Sequence, residues 1–285
     1  MVGFVLICSA MTIFIPGVHT RRVVDLSYDM DHDTLTYPNN PRFNLSVQHE
    51  GPYGTVPWVQ YGNVEFAEHT GTHVDSPNHF AKGGLQAHQI KMEQLMGPGV
   101  VINVKAKVAS NIDYRVTDLD LMAWEENHGP IPSGAIVLMN SGWGSRYPDF
   151  VRVFNSSTYK EDHSSLHFPG FHESAAQWLV NKRDVHALGS DTPSADYGRS
   201  TSFPVHQLVT KEGILIIENV ANMDKLPDSG SFVYVPMIKF KGGTGAPARM
   251  FAAIEDEGDR TNGVSAVISR VSTVGCMIVL SLFML

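Results

Sequence analysis

Cysteine is nearly missing from this chain. Its 285 residues hold two, Cys8 and Cys276, each inside an apolar stretch at one end. The body between them has none, which excludes a disulfide framework and a thiol nucleophile there. Basic clusters are also missing. Lys and Arg number 21 against 29 Asp and Glu, for a net charge of −8, so a nucleic-acid partner is excluded. No Gly-x-Ser-x-Gly elbow occurs, which disfavours a covalent serine route. There is no internal repeat. What is present is an ordinary globular composition, 43% hydrophobic and 18% charged, with an unusual 13 His.

The two ends read as processing segments. Residues 2–15 are almost wholly apolar and are followed by Pro16-Gly17, a pattern expected of a secretory signal peptide over residues 1–20. The alternatives are a buried first strand or a signal anchor. Residues 271–285 form a terminal apolar run without charge, shorter than the roughly 20 residues of a membrane span. A polar spacer precedes it, so residues 259–285 are expected to be a spacer and a GPI-attachment tail, with a tail anchor or a packed strand as rivals. The expected location is secreted or cell-surface. The triplets Asn44-Leu45-Ser46 and Asn155-Ser156-Ser157 fit a glycosylated secreted chain.

The body, residues 21–258, reads as one mixed α and β domain. Short β-branched runs at 100–104, 135–139, 185–188, 214–217 and 232–235 have the continuous apolarity of strands buried on both faces. Thr117 to Asp120 forms a capping-box start for a helix over 119–127, which Gly129-Pro130 stops. A second helix is expected over 172–181.

The chemistry concentrates at His69-Thr70-Gly71-Thr72-His73-Val74-Asp75-Ser76-Pro77-Asn78-His79. Three His and one Asp fall within eleven residues. A helix would put His69 and His73 on one face but turn Asp75 and His79 away. A straight strand would align all four, yet spread them over about 33 Å. The segment must therefore bend, and Gly71 and Pro77 are the residues that allow it. Bent in this way, imidazoles and a carboxylate can converge on a divalent cation. Later in the chain Glu218 ends the apolar run at 214–217, and a buried carboxylate needs a partner. A cation is one possibility and Arg249 is the other.

The motif resembles that of the cyclase family of metal-dependent hydrolases, which includes kynurenine formamidase and isatin hydrolase. The family pattern His-x-Gly-Thr-His-x-Asp-x-Pro-x-His is matched at every fixed position of 69–79. Asp25-Leu26-Ser27, Ser141-Gly142-Trp143, the stretch from Gly189 to Asp196, His206, Glu218 and Gly245 to Arg249 are similar to further family segments. The resemblance implies a swivelling β/β/α fold with a mixed sheet and flanking helices, and a homo-oligomer. It also implies metal ligation by His69, His73 and Asp75, with His79, His206 and Glu218 around a second metal in the two-metal members. In the one-metal members the residue at His79 handles protons instead, so His79 has two possible roles. One or two metals, zinc or manganese, are expected. The implied activity is hydrolysis of an aryl amide, arylformamidase-like, converting N-formylkynurenine to kynurenine and formate. The alternatives are a cyclic amide such as isatin and a metal-stabilised binding protein with little catalysis. Trp58, Phe66 and Phe80 flank the motif and are candidates for walls around an aryl ring, or for ordinary core packing.

Overall fold

The computed structural model describes residues 21–156 and 163–255, and the expected leader and tail lie outside the described residues. One compact unit covers Val23–Ile254.

The strands run in chain order as β1 (Arg21–Asp25), β2 (Asn44–Tyr53), β3 (Val56–Glu65), β4 (His73–Asp75), β5 (Met96–Asn103), β6 (Arg115–Val116) and β7 (Ala135–Asn140). They continue as β8 (Gly170–Phe171), β9 (Val185–Ser190), β10 (Leu215–Glu218), β11 (Ser231–Tyr234), β12 (Gly245–Pro247) and β13 (Phe251–Glu255). The helices are α1 (Lys105–Ser110), α2 (Asp118–His128), α3 (Phe150–Phe154), α4 (Glu173–Lys182) and α5 (Pro204–Lys211).

Nine strands form one sheet in the order β1-β13-β11-β5-β7-β9-β10-β4-β12. The centre, β5-β7-β9-β10, is parallel, and antiparallel pairs extend it on both sides. The five apolar runs read from the sequence are β5, β7, β9, β10 and β11. Their continuous apolarity follows from a core on each face. Val100, Ile102, Val137, Met139, Leu188 and Ile216 point to the side of α2, α4 and α5. Their neighbours Val101, Ile136, Leu138, Leu215 and Ile217 pack on the other side with Val74, Val233 and Ala252. Alternation along a strand thus fills two cores rather than one.

Helix α2 starts at the expected box: the Thr117 amide donates to the Asp120 carboxylate at 2.7 Å. It ends at Gly129, whose φ of +82° is the left-handed geometry that glycine adopts without strain. Helix α4 covers the second expected helix, shifted by one residue, because His172 is its cap: the Ser174 amide donates to His172 Nδ1.

The hairpin β2-β3 stands apart from the large sheet as a two-stranded ribbon. Leu45 faces Val64 and Val47 faces Gly62. Trp58 lies further along β3, past the Glu50–Gln60 pair. Leu45, Val47, Trp58 and Val64 are all more than half exposed.

Candidate metal centre

Strand β4 places His73 and Asp75 two residues apart, so both side chains leave the same face of the sheet, while Val74 enters the opposite core. On the neighbouring strand Glu218 pairs directly with His73, and on the other side Gly245 pairs with Asp75. The antiparallel register therefore delivers one histidine and two carboxylates to one point. His69 arrives from the preceding turn. Gly71 makes that turn at φ +60°, and its carbonyl accepts hydrogen bonds from His73 Nδ1 and Asn219 Nδ2. Gly245 is required for a different reason: a Cβ there would lie 2.6 Å from His69 Cε1.

The donors form two overlapping groups. His69, His73 and Asp75 make one; Asp75, His206 and Glu218 make the other, with the ligand atoms of each group within 4.8 Å of one another. Asp75 serves both. Its Oδ1 lies 2.6 Å from His69 Nδ1 and 3.4 Å from His73 Nε2, and its Oδ2 lies 3.3 Å from His206 Nε2. Glu218 sits between the other pair, 3.3 Å from His73 Nε2 and 3.1 Å from His206 Nε2.

Each imidazole is oriented by its other nitrogen. His73 Nδ1 donates to the Gly71 carbonyl at 2.8 Å. His206 Nδ1 donates to Asp196 at 2.6 Å, and Asp196 also caps α5 by accepting the Val205 and His206 amides. His69 Nε2 bonds Thr244 Oγ1 at 3.0 Å, and that hydroxyl donates to Glu68. These bonds leave a lone pair on His73 Nε2, His206 Nε2 and His69 Nδ1, all aimed at the carboxylates, which is the arrangement of ligating histidines.

The fit to a cation is tested by one atom. His73 Nε2 is buried without a hydrogen-bond partner, although two carboxylates face it. Burial opposes charge on this ring, yet Asp75 and Glu218 raise its pKa to about 10. His206 is likewise pushed well up against the cost of burial, by Asp196, Asp75 and Glu218. Burial also opposes ionisation of Asp75, but His69, His206 and His73 hold its pKa far down. The cluster calls for positive charge, and a divalent ion meets that need with the donors present. Arg249 does not: it pairs with Asp25 at 2.7 Å, away from Glu218.

A cavity of about 230 Å³ opens over the cluster. His79 lines it from a 3-10 turn over Pro77–His79, with its ring stacked on His69 at a centroid distance of 4.1 Å. It belongs to neither donor group, and burial lowers its pKa, which favours the neutral ring. The aromatic walls come from Tyr37, Phe80 and Phe203. Of the three aromatic candidates read from the sequence, Phe80 lines the cavity. Trp58 lies on the β2-β3 hairpin at 59% exposure, and Phe66 packs against Phe43 and Phe240. Both follow the chain away from the cavity, because the hairpin ends at Glu65.

Asn219, Tyr37 and Phe203 also line the cavity and were not singled out by sequence reading, whereas Ser194, which lines it too, falls in the Gly189–Asp196 stretch that the family resemblance covers. Phe203 and Asn219 adopt φ of +49° and +53°. Such strain costs about 1–3 kcal/mol per residue and gathers at functional sites. Pro204 at the start of α5 was the available signal for the Phe203 turn.

Comparison with known proteins agrees with this geometry. The family model for cyclases matches residues 24–197. Isatin hydrolase of Roseibium aggregatum is 30% identical over 213 residues, covering 72% of this chain and 77% of that protein. Kynurenine formamidase of Bacillus cereus is 25% identical over 232 residues, covering 81% of this chain and 96% of that protein. Isatin hydrolase A from Ralstonia solanacearum superposes with a TM-score of 0.74 at 32% identity, over 82% of this chain and 92% of that one. Isatin hydrolase A from Labrenzia aggregata, bound to benzyl benzoate, gives 0.74 at 29% identity, over 83% and 94%. On its sequence, its sheet and its donor cluster, the chain belongs to the cyclase family.

Proposed function

We propose that this chain is a metal-dependent amidohydrolase acting on a non-peptide C–N bond of an aryl amide. The observation that carries the reading is the pair of donor groups joined through Asp75, with an orphaned His73 Nε2, at the floor of a cavity with aromatic walls. His69, His73 and Asp75 would hold one divalent ion, zinc or manganese, and Asp75, His206 and Glu218 a second. Such a metal, when bound, would supply Lewis acidity toward water and the acyl oxygen.

The chain's own residues do the rest. Tyr37, Phe80 and Phe203 hold the aryl ring and keep bulk water from the cleft. His79, neutral and outside both donor groups, accepts the proton of the attacking water and returns it to the leaving nitrogen. Asp196 keeps His206 in its ligating tautomer.

The substrate reading is arylformamidase-like, N-formylkynurenine to kynurenine and formate. A second reading, opening of a cyclic amide such as isatin, is favoured by the likeness to isatin hydrolases over more than nine-tenths of those chains. Both are tested with one panel: formamides, lactams and esters offered to protein loaded with zinc or manganese. Turnover of a formamide or a lactam supports the reading. A metal-loaded chain inert to the panel supports a binding protein instead.

Two further proposals concern partners and place. A second copy of the chain covers the apolar hairpin face in a homo-oligomer: a lone ribbon is marginal in water, and apolar on apolar is self-complementary about a two-fold axis. The leader and tail pattern supports a secreted or lipid-anchored glycoprotein. Release of the protein from intact cells by a phosphatidylinositol-specific phospholipase tests this, and peptides from Cys276 onward in the mature surface protein would contradict it.

A further inference from the structure

The loop that follows β9 is tied down almost atom by atom. Thr192 Oγ1 lies 2.8 Å from the Ser194 carbonyl oxygen, and the Thr192 carbonyl accepts the Asn219 amide. The Ala195 amide donates to Glu218 Oε1 at 3.0 Å, and the Ala195 carbonyl accepts the Phe171 amide. Asp196 holds α5 and His206. One polar side-chain atom of this stretch has nothing to bond: Ser194 Oγ is buried and without a hydrogen-bond partner. Ser194 is 3% exposed, and it lines the cavity above the donor cluster.

A buried hydroxyl left unpaired is destabilising, and native structures keep few of them. A rigid loop that keeps one in the wall of a ligand cavity spends stability on a contact the chain itself does not supply. The chemistry of the surroundings selects the ligand atom. Asp75 and Glu218 only accept hydrogen bonds, the three ligating imidazoles are engaged, and the Asn219 amide nitrogen is held by the Gly71 carbonyl. A carbonyl oxygen arriving over the cluster needs a donor. We propose that Ser194 donates its hydroxyl hydrogen to the carbonyl oxygen of the bound amide and fixes the acyl group over the donor cluster. The inference rests on the amidohydrolase reading and names a substrate contact within it.

Ser231 supplies an internal control. Its Oγ is also buried and unpaired, but it sits on β11 against Gly99 and does not line the cavity. The test compares Ser194→Ala, Ser194→Thr and Ser231→Ala in the metal-loaded chain, by turnover of formanilide and isatin, calorimetric binding of 2-aminobenzamide, metal content and melting temperature. Ser194→Ala should lower kcat/KM about 10²- to 10³-fold, the scale of one hydrogen bond to a developing oxyanion. It should weaken binding of the amide, leave metal content unchanged and keep or raise the melting temperature. Ser194→Thr should restore most of the activity, and Ser231→Ala should change neither turnover nor binding. Should the wild type turn over neither substrate, the amidohydrolase reading fails on its own, and the binding arm still decides Ser194. Unchanged kcat/KM and affinity in Ser194→Ala would overturn the proposal. So would a drop in its melting temperature with no loss of affinity, or a wild type that binds no amide.

Discussion

The metal centre and the β2-β3 hairpin invert the usual rule in opposite directions. At the centre, charged groups are buried: His73, Asp75, His206 and Glu218 are each at most 5% exposed. On the hairpin, apolar groups are exposed: Leu45, Val47, Trp58 and Val64 face solvent. A fold of marginal stability cannot carry either arrangement without return. Buried charges are retained where they are paired or coordinate a cation, and exposed apolar faces where a partner covers them. The centre is over-determined, with His69, His73 and His206 each held by a named bond. The hairpin is joined to its own chain by little beyond its own ladder. The first region thus fixes geometry, and the second is the face on which the proposed homo-oligomer rests.

The largest expected effect is at the shared carboxylate. Asp75→Asn should remove metal from both donor groups and reduce hydrolysis to background, as read by metal analysis and turnover together. Retained metal with full turnover would separate Asp75 from the centre. His79→Ala should lower kcat about 10²- to 10⁴-fold, the range of a general base, with metal content unchanged. A fall in stoichiometry in that variant would make His79 a ligand instead. Asp196→Asn should weaken metal affinity about 10- to 100-fold by loosening His206 and the start of α5, measured by chelator competition. The smallest effect on chemistry should come from the hairpin. Trp58→Ser combined with Leu45→Ser should shift the oligomer to monomer in sedimentation while metal content stays unchanged. An unchanged mass would remove the partner from the comparison.

The two regions also differ in how far the sequence revealed them. The centre was legible because His69, His73, Asp75 and His79 are close in the chain, and the Gly71 bend is local. His206 came only through family resemblance, and Glu218 was read as a buried carboxylate in need of a cation or Arg249 but joined to this site only by the resemblance, since their meeting with Asp75 depends on sheet register across more than a hundred residues. Ser194 lay in the Gly189–Asp196 stretch carried by the resemblance, with no role attached, and Tyr37 and Phe203 left no pattern of their own: each becomes part of the cavity only when distant loops meet. The central strands were read from their apolar runs because two cores bury both faces. The hairpin was missed. Its bulges between Val47 and His49 and between Gly51 and Tyr53 break strict alternation, and its apolar face has no core of this chain to point at. Trp58 illustrates the cost of reading chain proximity as spatial proximity, for it sits eleven residues before His69 and outside the cavity.

Metal content per chain, measured by elemental analysis on wild type and His73→Ala after identical zinc or manganese loading and gel filtration, tests the central claim most directly. The account predicts two divalent ions in the wild type and a loss in the variant that tracks the loss of hydrolysis. A wild type that retains no ion, or a variant that retains the full complement, would contradict it.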